Sequence, residues 1–327
     1  MLVLAALVAG CGGGDDNGSG SGGGDGPKLT LVAYSTPREV YEELIPAFAK
    51  TKEGSGVSFD QSYASSGEQS RAVESGLPAD VVAFSLEPDV TRLVEDDLVA
   101  PDWSDDPHNG MVSNSVVVLA VRKGNPKGIE GWDDLVRDDV EVITPNPFTS
   151  GGARWNVMAA YGAQLEEGKS KAEAIAYLRK LFHNVPVQDK SARESLQTFA
   201  GGKGDVLIAY ENEAITAQQK GEELDYVIPD GTILIENPMA VVSESGSPEK
   251  AKAFVDYVRS EPAQKVFAEK GYRSILPELV DAERYPKPAS LFTIEKFGGW
   301  DAVMNEFFDR DTGTVADIER DLGAPLE

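Results

Sequence analysis

Short apolar runs alternate with amphipathic stretches along most of this chain. Leu29-Thr30-Leu31-Val32-Ala33-Tyr34 is β-rich and reads as a strand. Ser35-Thr36-Pro37-Arg38-Glu39 then gives a helix-start signal, and Val40, Leu44, Ile45 and Phe48 continue the helix. Residues 57–63 read as a second strand. The polar turn Ala64-Ser65-Ser66-Gly67 follows, with a helix from Glu68 toward Val73. Residues 80–84 read as a third strand before a helix carrying Val90, Leu93 and Val94. Strands alternating with helices predict an α/β protein with a largely parallel sheet. Ligands of such sheets sit beyond the carboxyl ends of the strands, so the turns at Ser35 and Ser66 point the same way.

The pattern continues through the second half. Residues 114–122 form a long apolar strand, broken sharply by Lys123-Gly124-Asn125-Pro126. Trp132 and Leu135 belong to a short helix. Residues 171–182 are amphipathic, with Ala174, Ile175, Leu178 and Leu181 on one face. Val185-Pro186-Val187 is a short strand leading into the turn Asp189-Lys190-Ser191-Ala192-Arg193-Glu194-Ser195. Residues 205–213 read as a buried strand ending in an aromatic and polar cluster. A strand at 236–242, helices at 248–259 and 262–270, and a segment of mostly helical spacing at 292–309 complete the body. No repeat of solenoid period appears. The expected division is a first lobe of residues 28–115 plus 236–327 and a second of 116–235. Two crossings, near Ser115 and Glu236, would form the hinge.

The richest chemistry lies at Val142-Ile143-Thr144-Pro145-Asn146-Pro147-Phe148-Thr149-Ser150-Gly151-Gly152-Ala153-Arg154-Trp155-Asn156. A β-branched strand runs through a Pro/Asn turn into a Ser-Gly-Gly helix start. Ser150 is a good N-cap. The two glycines let a ligand approach the backbone closely. Unpaired N–H groups and partial positive charge make a helix N-terminus suited to an anion. The spacing fits neither a Walker loop nor a dinucleotide fingerprint.

Charge sharpens this expectation. The 327 residues include 30 basic and 55 acidic side chains, a formal charge of −25. Nucleic acid is excluded as a partner, because phosphate binding needs clustered Lys and Arg. An anion site on such a chain must rely on local dipoles. His108 and His183 have no ligand-like spacing, and the single cysteine, Cys11, allows neither an internal disulfide nor a cysteine-ligated metal. No metal or cofactor is expected. Catalysis lacks support too. Ser150 has no G-x-S-x-G elbow, and Glu211 and Glu213, placed on one face of a strand, have no supporting context as an acid–base pair.

The N-terminus carries an address. Residues 1–10 are expected to be a signal peptide, with Leu7-Val8-Ala9-Gly10-Cys11 similar to a bacterial lipobox. That likeness implies cleavage before Cys11 and lipid on its sulfur. The usual positive start is missing, which leaves room for a start upstream. Residues 11–27, almost all Gly, Ser, Asp and Asn, would be the lipidated cysteine and a flexible tether. The expected place is outside the cytoplasm, at the outer face of the cytoplasmic membrane or in the periplasm.

Four ordered stretches carry a family likeness: VRKGNPK (121–127), ITPNPFTSGGARWN (143–156), GDVLIAYENEA (204–214) and LFTIEKFGGW (291–300). With these the chain resembles the bacterial sulfate-binding proteins, the solute-binding components of sulfate/thiosulfate ABC transporters, over residues 29 to about 313. The resemblance implies a two-lobed, type II periplasmic-binding-protein (Venus-flytrap) fold with two hinge crossovers. It would be a monomer that closes on sulfate or thiosulfate and delivers it to permease subunits. The ligand-binding positions carried over are Ser35, where the family usually has Asp, Ser66, Ser150, Gly151, Gly152, Ala192 and Tyr210, where better-known members have Trp. Gly67, Arg154 and Arg193 would stand behind them. The arginines could meet the anion directly, or pair with carboxylates such as Asp189 and Glu211 and organise the loops.

The chemistry agrees with the likeness. Sulfate is a dianion with no proton to give near neutrality, so donors alone satisfy it. A protonated oxyanion leaves its own hydrogen unpaired in such a site, a penalty of roughly 1–3 kcal/mol. Another tetrahedral oxyanion, phosphate or molybdate, is the alternative cargo. An exported hydrolase or a sensor on the same scaffold is the alternative role.

Overall fold

A computed structural model describes residues 26–326; the expected signal peptide, Cys11 and most of the tether lie outside them. The first third runs β1 (Lys28–Tyr34), α1 (Arg38–Phe48), β2 (Ser58–Ala64), α2 (Ser66–Glu74), β3 (Val81–Ala83) and α3 (Pro88–Glu95). Then come β4 (Met111–Arg122), β5 (Val142–Ile143), α4 (Gly151–Glu166), α5 (Lys171–His183), α6 (Ala192–Ala200), β6 (Val206–Tyr210), α7 (Glu211–Gln219) and β7 (Leu224–Val227). The last third holds β8 (Gly231–Val241), α8 (Pro248–Val258), α9 (Glu261–Glu269), β9 (Ser290–Phe292), α10 (Gly299–Val303) and α11 (Thr314–Leu322). No described helix is long and apolar enough to cross a membrane.

The strands follow the order β2-β1-β3-β8-β4-β6-β5, with β7 beside β4 and β9 beside β8. The sheet is mixed, which corrects the largely parallel expectation. β1 pairs in parallel with β2 and β3, and β5 with β6, but β8 runs antiparallel to β3 and β4, and β4 antiparallel to β6 and β7. The cause lies in two strands longer than their sequence runs suggested. β8 starts at Gly231, and its two ends serve different neighbours: Val241–Met239 pairs with β3 and Ile235–Leu234 with β4. β4 is shared likewise, with Asn114 opposite Glu236 and Val117 opposite Tyr210.

Alternation sends successive side chains to opposite faces. Leu31 and Ala33 join Tyr41, Leu44, Phe254 and Phe267 on one side of β1, while Val32 joins Phe84, Val90 and Leu93 on the other. Around β4, Val117 and Leu119 face α4 and α5, and Val116 and Val118 face Phe199 and Leu207. The expected buried strand over 205–213 ends at Tyr210, and Glu211 and Glu213 lie in the first turn of α7, not on a strand.

The end of the chain, expected with the rest of 236–327 in the first lobe, packs from Ser290 onward against α4 and α5. Trp300 meets Trp155 edge-on at 4.7 Å, Phe307 meets Tyr161 at 4.8 Å, and Val315 and Ile318 of α11 join the same core. The mostly helical spacing over 292–309 is realised in short pieces. It resolves into a 3-10 turn, α10 and a π turn, with left-handed backbone at Gly298 and Gly299.

α11 buries a carboxylate in this contact. Glu319 is fully buried and receives one hydrogen bond, from Gln188 Nε2 at 2.8 Å. Burial pushes its carboxyl up to about 7. The folded state therefore favours the protonated form. Stability is fully present below the ordinary carboxyl pKa and falls as pH rises toward about 7. Glu319→Gln should raise the melting temperature by several degrees at pH 8 and change it little at pH 4, as thermal denaturation at the two pH values will show.

Candidate functional site

Helix N-termini converge on one small cavity. Ser35 and Thr36 lie just before α1; Ser65 and Ser66 open α2; Ser150, Gly151 and Gly152 open α4; Ser191 and Ala192 open α6; and Tyr210 caps α7. Tyr34, Ala64 and Ser85 complete the wall, and no lining side chain is charged. The structure thus brings together all seven positions carried over from the family likeness. The first N–H groups of a helix have no intrahelical partner, and each N-terminus carries roughly half a positive charge. Several such termini aimed at one point attract an anion without any cation in contact.

Local sequence explains each wall. Ser150 is the N-cap of α4 and its Oγ accepts from Ala153 N at 3.4 Å, so its hydroxyl hydrogen stays free to donate. Ser191 caps α6 in the same way, accepting from Glu194 N at 3.2 Å. Asn146 sets the turn before Ser150, because its Oδ1 accepts from Phe148 N at 2.7 Å while its carbonyl accepts from Ser150 N at 2.9 Å. Gly67, behind Ser66, is packed tightly, since a Cβ there would come within 3.0 Å of Thr149 O.

Ser66 differs from expectation in one respect. Its hydroxyl donates to Asp89 Oδ2 at 2.5 Å and accepts from Ser85 N at 2.9 Å. The hydrogen is spent on Asp89, so Ser66 offers the cavity its backbone N–H alone. Tyr210 keeps a phenol, because burial raises its pKa well above the usual value. Its hydroxyl lies 2.6 Å from Ser85 Oγ.

The two arginines stand back from the cavity and take partners other than Asp189 and Glu211. Arg193 makes two 2.6 Å hydrogen bonds to the Glu39 carboxylate and also reaches the carbonyls of Ser35, at 3.3 Å, and Thr36, at 3.0 Å. Lys220 joins Glu39. Burial alone would raise the Glu39 carboxyl, but hydrogen bonds from Arg193 and Lys220 outweigh it and hold it at about 2. Arg154 is buried, donates from Nε to Pro147 O at 2.9 Å and lies over the Phe308 ring. Asp189 instead accepts from Ser195 and Thr198, and Glu211 pairs with Arg273. Glu213 is buried beside the site and accepts from Thr36 Oγ1 at 3.3 Å. Its burial pushes the carboxyl up to about 7, which limits negative charge next to an anion.

Sequence reasoning missed Ser85, though a signal existed. Phe84-Ser85-Leu86-Glu87-Pro88 is a strand end running into a Pro-led helix, the pattern that singled out Ser35. All its polar groups are engaged. Its N–H goes to Ser66, its carbonyl accepts from Trp155 Nε1 at 2.9 Å and Asn237 Nδ2 at 2.8 Å, and its hydroxyl meets Tyr210.

Known proteins share this arrangement of sequence. The family described as bacterial extracellular solute-binding protein matches residues 29–273. A sulfate-binding protein of Synechococcus elongatus is 44% identical, covering 92% of this chain and 89% of that one. A thiosulfate-binding protein of Escherichia coli is 38% identical, covering 86% of this chain and 88% of its own. The solved structure of the sulfate-binding protein SubI from Mycobacterium tuberculosis superposes with a TM-score of 0.84 at 43% identity, covering 86% of this chain and 100% of that one. The chain belongs to the bacterial extracellular solute-binding proteins and, among them, to the family of the sulfate-binding proteins.

Proposed function

We propose that the chain captures sulfate, and with it thiosulfate, outside the cytoplasm and hands it to an ABC permease. The observation that carries this reading is the cavity itself: helix N-termini, four glycine or alanine backbones and several hydroxyls, with no charged lining side chain. Ser35, Ser66, Gly151, Gly152 and Ala192 would give backbone N–H groups, and Ser150 and Tyr210 their hydroxyls. An aprotic dianion meets donors at every oxygen there, without a cation that would slow its release. Membership among binding proteins argues for capture without turnover.

The clamp would close between two lobes. One comprises residues 28–115 with 236 to about 286, the other 116–235 with the final helices, joined where β4 and β8 run side by side. Arg193 and Glu39 would latch the mouth, the arginine also fixing the carbonyls of the Ser35–Thr36 turn. A lipid on Cys11 and the tether that follows would hold the protein at the membrane within reach of its permease.

Titration calorimetry on the purified protein tests the ligand. Sulfate should bind tightly with one site per chain. Heat with molybdate but none with sulfate would overturn the choice of cargo.

A further inference from the structure

Thr36 lines two cavities. The second, of about 170 Å3, lies between α6 and α7. A cavity of ~150 Å3 holds a molecule the size of benzene, so this one takes a ligand of about half a dozen heavy atoms. Its inner part is polar and closed, since Asn212 is 1% exposed and Glu213 4%. Its outer part, at Gln197, Lys220 and Glu222, is exposed, and Leu196 and Ala217 add apolar wall.

The inner part lacks positive charge. Asn212 Oδ1 is buried with no hydrogen-bond partner among the described residues. The Glu213 carboxyl has one side-chain donor among the described residues, Thr36 Oγ1 at 3.3 Å. Around it stand Arg193 of α6, Glu39 of α1 and the phenols of Tyr34, Tyr210 and Tyr272. Arg193 is the cation among them, but it is bound twice to Glu39, and Lys220 turns to Glu39 as well. Burial therefore outweighs Arg193 and holds the Glu213 carboxyl up at about 7. With Glu39 and Glu222 facing Arg193 and Lys220, an ionised Glu213 leaves the surroundings one positive charge short.

We propose that this cavity binds a small primary ammonium ligand, a short aliphatic amine, with its head at Asn212 Oδ1 and the Glu213 carboxylate and its chain along Leu196 and Ala217. An ammonium group brings donors and no acceptor, which is what a bare amide oxygen and a carboxylate require. It also supplies the missing charge. Glu213 must be ionised to receive it, so binding drives a proton from the carboxyl into solvent. A neutral alcohol of the same length brings one donor and no charge. The inference stands apart from the reading of the donor-lined cavity, and either can fail without the other.

Calorimetry at pH 7 on the purified protein, in chloride buffers free of sulfate, tests it with n-butylamine and butan-1-ol. The amine should saturate one site per chain and bind at least tenfold tighter than the alcohol. Repeating the titration in two buffers of different ionisation enthalpy should show net proton release. Glu213→Gln keeps an acceptor for Thr36 but removes the charge. It should weaken the amine at least tenfold and abolish proton release. Ala217→Leu fills the cavity with the carboxylate intact and should also weaken the amine at least tenfold. The inference is overturned by no saturable amine binding in the wild type, by equal affinity for the alcohol, by binding without proton release, or by unchanged amine affinity in a folded variant. Should neither variant fold, the alcohol comparison and the proton count on the wild type still decide.

Discussion

Replacing Gly151 by alanine should weaken sulfate binding by about a hundredfold or more, close to 3 kcal/mol, while the unliganded protein stays folded. A Cβ at Gly151 would lie 2.2 Å from Leu86 Cδ2, 2.8 Å from Ser85 Cβ and 2.9 Å from Ser85 Oγ. Leu86 is fully buried and Ser85 is held through its backbone on both sides, so neither can step aside cheaply. The added methyl acts as a wedge between the start of α4 and the end of β3. The local helix is not harmed, because Gly151 has ordinary helical backbone and alanine is the better helix former. Binding loss and folding stability are thereby separated. Gly152→Ala is the matched control. Its Cβ would meet Ala192 Cβ and Ser150 Oγ at 3.4 Å and Tyr210 Cε1 at 3.6 Å, at or near ordinary contact. That variant should lose less than about tenfold. Calorimetry and thermal denaturation on both variants decide the matter, and unchanged affinity in Gly151→Ala would refute the wedge.

The contrast between Gly151 and the arginines shows what the sequence could convey. The convergent turns were legible because helix starts are local. A capping serine, a glycine or a proline announces its helix within four residues, and an α/β order places such turns at one end of the sheet. The turns at Ser35, Ser66 and Ser150-Gly151-Gly152 show this local signature, whereas the choice of Ala192 and Tyr210, and of all seven positions as ligand contacts, follows from the family likeness. Partners distant in the chain were not legible. Glu39 precedes Arg193 by 154 positions, and nothing near Ser191-Ala192-Arg193-Glu194 points to it. Nearby carboxylates were the natural guess, but Asp189 was already committed to the hydroxyls of its own helix. The sheet was misjudged for a related reason. β4 and β8 each serve two neighbours, and a run of valines does not state which strand lies on either side, or in which direction. The docking of α10 and α11 on α4 and α5 rests on Trp155–Trp300 and Tyr161–Phe307, pairs that only tertiary structure brings together.

The buried ion pair beside Tyr210 should be the most costly to break for stability. Glu211 is fully buried, and Arg273 meets it with Nε at 2.7 Å and Nη2 at 3.0 Å, while Nη2 also reaches Pro286 O at 2.9 Å. Arg273 further exchanges both backbone hydrogen bonds with Asn114 of β4. One side chain therefore ties the start of α7 to the segment that follows α9. Arg273→Met removes the cation and leaves a carboxylate in an apolar setting, a loss of about 3–5 kcal/mol. Burial already raises the Glu211 carboxyl, even with the opposing pull of Arg273. Without the arginine the folded-state pKa rises further above its unfolded value. The missing stability then returns as pH falls and the carboxyl is protonated, and it is lost again as pH rises through that folded pKa. Melting temperature should drop by roughly 10 °C at pH 8, and clearly less at pH 5. The double variant Arg273→Met with Glu211→Gln should recover part of the pH 8 loss, because it leaves no uncompensated charge. A deficit equal at both pH values, with no recovery in the double variant, would mean that packing around the arginine stem sets the cost and the charge does not.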